Sequence, residues 1–120
     1  MTSKEKALAL AEALHQKKGF DVRILDLGGT ASFTNFFVIA TGASDRHVRT
    51  LADSAFESAR LSGQRLLGTE GEKTARWILI DVGDVVVHVF QREARDFYGL
   101  ERLWGDAAAL EPPQVAGALQ

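Results

Sequence analysis

The segment from Trp77 to Phe90, WILIDVGDVVVHVF, limits the fold more than any other part of this 120-residue chain. Gly-Asp between two runs of apolar β-formers is the signature of a two-residue hairpin loop, glycine taking the first central position of a type II′ turn. With Gly83 and Asp84 as the turn, Val82 lies opposite Val85. Outward from there, Asp81 pairs with Val86, Ile80 with Val87, Leu79 with His88, Ile78 with Val89 and Trp77 with Phe90. Strand side chains alternate between faces. One face is therefore Ile78, Ile80, Val82, Val85, Val87 and Val89, all β-branched and stiff at χ1, as suits a packed sheet. That is the expected core face. The other carries Trp77, Leu79, Asp81, Val86, His88 and Phe90, and its purpose is open.

The rest of the chain supplies the partners of this hairpin. Thr2 and Glu5 fit a capping box ahead of Ala7, Leu8, Ala11 and Leu14, which recur at helical spacing, so a helix is expected over Ser3 to Lys18 with Gly19 as its stop. DVRILDL then reads as a strand. After a Gly-Gly-Thr turn, FFVIATG is a continuous apolar run of the kind found in strands covered on both faces. Ser44 can cap a second helix whose stripe is Val48, Leu51, Ala52, Ala55, Phe56 and Ala59, ending near Gly63. QRLLGTEG is a short strand leading into a glycine loop. REARDFYGLERLW reads as a short helix broken at Gly99. The order helix, strand, strand, helix, three strands, helix predicts an α/β (α+β) domain, a mixed sheet of about five strands with helices packed on it. A single domain is expected over residues 1–106. From Asp106 the composition turns to alanine, glycine and two adjacent prolines, and 107–120 is expected to be a flexible tail.

Composition narrows the function classes. The chain has no cysteine, which excludes a disulfide framework, a thiolate nucleophile and cysteine-ligated metal. The N-terminal region has no uninterrupted apolar run, so neither a signal peptide nor a membrane span is expected, and a cytoplasmic location is. A net charge of −2 and a pI near 5.9 disfavour broad binding to free nucleic acid and suit a basic protein partner.

Three constellations could carry chemistry. ATGASDRH leads from a strand into a helix N-terminus, where backbone N–H groups can hold a phosphate. It lacks both the P-loop lysine and the G-x-G-x-x-G spacing, and an ordinary strand-to-helix turn is the reading adopted. Asp81 and Asp84 could pair around a metal for phosphoryl or nucleotidyl transfer, but Asp84 has a routine reason to occupy a turn. The histidines, His15, His47 and His88, stand on separate elements without ligand spacing. Together TGAS and Asp81/Asp84 define an alternative nucleotide-binding or nucleotidyltransferase-like enzyme. The expectation is that there is no catalytic group, metal site or cofactor.

The aromatic face of the hairpin is the stronger feature. A buried aromatic ring removes about 150–250 Å² from water, worth roughly 4–6 kcal/mol, so Trp77 and Phe90 call for cover. Either a helix of this chain or a partner supplies it, and a docking surface is expected. Two strands of about six residues, at about 3.3 Å per residue and about 4.8 Å apart, offer only roughly 200 Å². A stable interface needs about 800 Å² per partner, so Glu70 and YGLERLW must extend it.

FFVIATGASDRHV, EGEKTARWILIDVGDVVVHVF and REARDFYGLERLW, in this order and spacing, closely resemble the ribosomal silencing factor family, also called Iojap-like proteins, over about Ala7 to Asp106. The resemblance implies a mixed-sheet domain similar to the nucleotidyltransferase fold without its catalytic carboxylates, and no known catalysis. It also implies binding to the large ribosomal subunit at ribosomal protein fourteen, a block to subunit joining, repression of translation under nutrient limitation, and a tendency to form homodimers. By position the implied partner-binding residues are Glu70, Trp77, Leu79, Asp81, His88, Phe90, Tyr98, Glu101 and Trp104. One departure is Asn35, where many relatives carry aspartate.

Overall fold

The computed structural model describes residues 2–28, 34–103 and 108–110. Its first element, α1 (Ser3–Gln16), starts on the expected capping box: the Thr2 hydroxyl accepts the Glu5 N–H at 3.1 Å, and Glu5 Oε1 accepts the Thr2 N–H at 2.8 Å. The helix stops earlier than Lys18. Lys18 itself takes the left-handed conformation, φ 66°, and donates to His15 O, while the Gly19 N–H closes on Leu14 O at 2.9 Å. Gly19 serves through its missing side chain, because a Cβ there would lie 2.9 Å from Leu14 O.

The remaining elements follow as β1 (Phe20–Asp26), β2 (Phe36–Gly42), α2 (Asp45–Leu61), β3 (Gly68–Glu70), β4 (Trp77–Asp81), β5 (Val85–Gln91), α3 (Arg92–Tyr98), α4 (Leu100–Leu103) and β6 (Ala108–Leu110). The strands form one mixed sheet in the order β3-β4-β5-β2-β1-β6, with β2 and β5 parallel and the other neighbours antiparallel. The β4–β5 register is the one the turn dictates, from Trp77 opposite Phe90 to Asp81 opposite Val86. Gly83 has φ 92°, and the Val82 N–H donates to Val85 O across the turn.

β6 departs from the sequence reading. The alanine-rich composition after Asp106 predicts a tail, yet residues 108–110 pair with β1, Ile24 opposite Leu110 and Asp26 opposite Ala108. An open sheet edge presents unpaired backbone groups, and bonding to them asks nothing of side chains. Residues 111–120 lie outside the described residues.

Two apolar layers sandwich the sheet. On one side α1 and α2 bury Leu10, Leu14, Val48 and Leu51 against the aliphatic face of the hairpin and Val38 of β2. On the other, α3 and α4 contribute Ala94 and Leu100 to a smaller cluster with Leu25, Leu27, Phe37, Ile39, Val86 and Phe90. Lying between both layers, β2 is buried at all seven positions, as its unbroken apolar run requires.

A candidate docking face on the hairpin

The second face of the hairpin divides into covered and open parts. Val86, His88 and Phe90 are buried, Phe90 completely. They lie on β5, the strand α3 packs against, and Ala94 of α3 joins Phe90 in the smaller core cluster. One strand further out, Trp77, Leu79 and Asp81 of β4 are only partly buried, Trp77 and Leu79 packing against the smaller cluster, and Glu70 of β3 is exposed. Phe90 and His88, expected from the sequence on the partner-binding surface, are instead buried in this chain's own interior. Trp104 lies outside the described residues.

Trp77 is the centre of the open part. Its ring stacks on Phe90 with centroids 4.8 Å apart and leans on Tyr98 at 4.9 Å. Its Nε1–H donates to His88 Nδ1 at 3.0 Å. Tyr98 is 51% exposed and its neighbour Phe97 70% exposed, the two rings meeting edge-on at 5.2 Å. Phe97, one of the crowded aromatic and apolar residues of REARDFYGLERLW, extends the aromatic surface beyond the partner-binding residues expected from the sequence. Glu70 stands opposite Leu79 in the β3–β4 register, and Asp81 opposite Gly68, so carboxylates rim the apolar patch.

Burial pushes the His88 imidazole from 6.5 down to about 3, so it is neutral, with its proton on Nε2 because Nδ1 accepts from Trp77. A histidine with a depressed folded pKa stabilises fully above its unfolded pKa and progressively less below it. Stability should therefore fall with a slope approaching about 1.4 kcal/mol per pH unit between pH 6 and 5, above the range in which carboxylates titrate. Denaturant titrations across that range, with His88→Leu flattening the slope, measure it.

Glu101 is committed elsewhere than expected. Arg95, only 5% exposed, donates from Nε to Glu101 Oε1 at 2.7 Å and from Nη2 to Oε2 at 3.0 Å. Its Nη1 donates to Asp21 O and to Thr41 Oγ1, each at 2.7 Å. Asp21 has φ 49° at the register shift in β1, and this irregular turn of the backbone delivers the carbonyl to the guanidinium. The Arg95 hydrogen bonds hold the Glu101 carboxyl below its ordinary value against partial burial. Glu101→Gln should cost about 2–4 kcal/mol in chemical denaturation, less than for a sealed pair because a third of the Glu101 side chain, 34%, meets water.

The residues of the nucleotide reading are occupied by local structure. In the TGAS turn the Ala43 N–H donates to His47 Nδ1, the His47 N–H to Ser44 Oγ, the Arg46 N–H to Asp45 Oδ1 and the Val48 N–H to Ser44 O. Four of the backbone donors around this turn thus already have acceptors within the chain. Gly42 is there for close packing, since a Cβ would sit 2.9 Å from the Val48 side chain. Asp81 Oδ1 accepts the Gly83 N–H, while the Asp84 carboxylate takes the Ser3 hydroxyl at 2.7 Å and Lys6 Nζ at 3.2 Å. Burial works to raise the Asp84 carboxyl, yet those two partners hold it below its ordinary value. Asn35 joins this cluster by donating from Nδ2 to Ser3 Oγ at 3.1 Å, a bond an aspartate could not donate.

The model of the family described as ribosomal silencing factor during starvation matches residues 1–119. The chain belongs to the ribosomal silencing factor family. Ribosomal silencing factor RsfS of Halalkalibacterium halodurans is 39% identical over 111 residues, covering 92% of this chain and 95% of that protein. A crystal structure from Chromobacterium violaceum superposes with a TM-score of 0.86 at 39% identity, over 88% of each chain. A more distant relative is mitochondrial assembly of ribosomal large subunit protein 1 of Mus musculus, 26% identical over 79% of this chain and 43% of that one. The ribosomal silencing factor fold thus extends over the aromatic hairpin and both helical layers described above.

Proposed function

We propose that this ribosomal silencing factor is a non-enzymatic steric blocker: it binds the large ribosomal subunit through ribosomal protein fourteen, prevents the small subunit from joining and so represses translation when nutrients are short. One observation carries the reading. Trp77 forms a partly buried aromatic anchor, backed by buried Phe90 and His88, flanked by exposed Phe97 and Tyr98 and rimmed by Glu70 and Asp81. Apolar centre and polar rim is the anatomy of a protein interface, with the large rings as hot spots. The acidic rim and the pI near 5.9 suit a basic ribosomal protein, for which opposite charge speeds encounter and sets register. The mouse relative's name, which refers to assembly of the ribosomal large subunit, supports the choice of subunit.

The cytoplasmic location expected from the N-terminal region and the homodimer that the family resemblance implies belong to the same proposal. Among the described residues no helix is long and apolar enough to cross a membrane. Cosedimentation of the purified protein with separated subunits tests the partner. The expected result is stoichiometric recovery with large subunits and none with small ones. Recovery with small subunits alone, or tight calorimetric binding of a nucleoside triphosphate with Mg²⁺ in place of ribosome binding, would reverse the assignment.

A further inference from the structure

We propose that His88 is a positioning residue: its Nδ1 holds the Trp77 indole in one orientation, so the docking anchor meets its partner pre-formed and with its N–H already engaged. This inference rests on the docking role assigned to Trp77.

The His88 ring is buried among Phe37, at 4.5 Å and edge-on, Phe90 at 6.2 Å and Trp77 at 5.8 Å. In that setting a leucine would bury no polar atom of its own, whereas the imidazole leaves Nε2 buried with no hydrogen-bond partner among the described residues. Keeping a histidine there sacrifices stability. The return visible in the structure is its hydrogen bond from Trp77 Nε1 at 3.0 Å.

That bond completes the restraint of the indole. Phe90 stacks on the ring, Tyr98 leans against it, and His88 fixes the N–H edge. Rotation that the rings alone would permit would break the hydrogen bond. Two consequences follow for recognition. The side-chain ordering that association usually demands is completed on folding, which is worth about two- to tenfold in affinity for one immobilised side chain. The indole also offers its partner carbon rather than a donor, so the matching pocket is apolar, lined by aliphatic groups or the stems of basic side chains, with no acceptor directed at the indole N–H.

The test uses the full chain labelled with ¹⁵N-tryptophan, the Trp77 signal being identified by its loss in Trp77→Phe. In wild type the Trp77 indole N–H should exchange slowly with solvent. His88→Leu should keep or raise the melting temperature, accelerate that exchange, and weaken binding to purified large subunits by about five- to tenfold. His88→Asn, whose carbonyl oxygen can stand near the place of Nδ1, should restore both slow exchange and most of the affinity. Unchanged exchange in a folded His88→Leu protein would overturn the proposal, as would an affinity loss that follows the melting temperature and is not rescued by asparagine. Failure of wild type to bind large subunits would remove the docking role alone; slow exchange lost in His88→Leu and regained in His88→Asn would still establish the positioning.

Discussion

Trp77→Ala protein should stay folded and fail to sediment with large ribosomal subunits. The indole is only partly buried, and removing it uncovers Phe90 and His88 without opening the aliphatic core on the other side of the sheet. A stability loss of about 2 kcal/mol is expected, below the range for a sealed core aromatic. The binding loss should be larger. Central aromatic anchors commonly contribute 2 kcal/mol or more to an interface, so affinity should drop at least about thirtyfold. Circular dichroism with equilibrium denaturation, set beside cosedimentation, separates the two effects.

Phe90→Ala should invert that pattern. Phe90 is fully buried, stacked under Trp77 and packed in the same cluster as Phe37, Ile39, Ala94 and Leu100. Truncation leaves a cavity at the junction of β5, β2 and α3, costing about 3–5 kcal/mol. That is a large share of the stability of a domain this size. The variant should bind poorly only in proportion to the fraction unfolded, and affinity should recover at low temperature or with a stabilising osmolyte. Loss of binding in a Phe90→Ala protein of unaltered stability would instead make Phe90 a contact residue.

The contrast between these two residues shows where a sequence reading reaches its limit. The hairpin, its register and its two faces were legible because the information is local: Gly83-Asp84 defines the turn, and strict alternation assigns each side chain to a face. The caps at Thr2 and Ser44 were legible for the same reason. Trp77 and Phe90 occupy the same face and are directly opposite one another, so alternation treats them alike. What separates them is the landing place of α3, a tertiary fact with no local signal.

Arg95 illustrates the same limit more sharply. In sequence it is one charge among several in a helix that looks solvated. Its carbonyl and hydroxyl acceptors lie 74 and 54 residues away, on a distorted stretch of β1 and on β2. Glu101 looks like a rim carboxylate until that guanidinium is found bonded to it. β6 was hidden differently, because strand addition at an edge is written in backbone groups that composition does not report.

In the proposed function, this chain silences ribosomes by occupying a face the small subunit needs. Sucrose-gradient analysis of purified subunits, mixed with graded amounts of the protein before joining, tests it directly. The expected result is a dose-dependent loss of joined ribosomes that approaches completion near one equivalent per large subunit and is absent with Trp77→Ala. Undiminished joining in the presence of saturating, folded wild-type protein would contradict it.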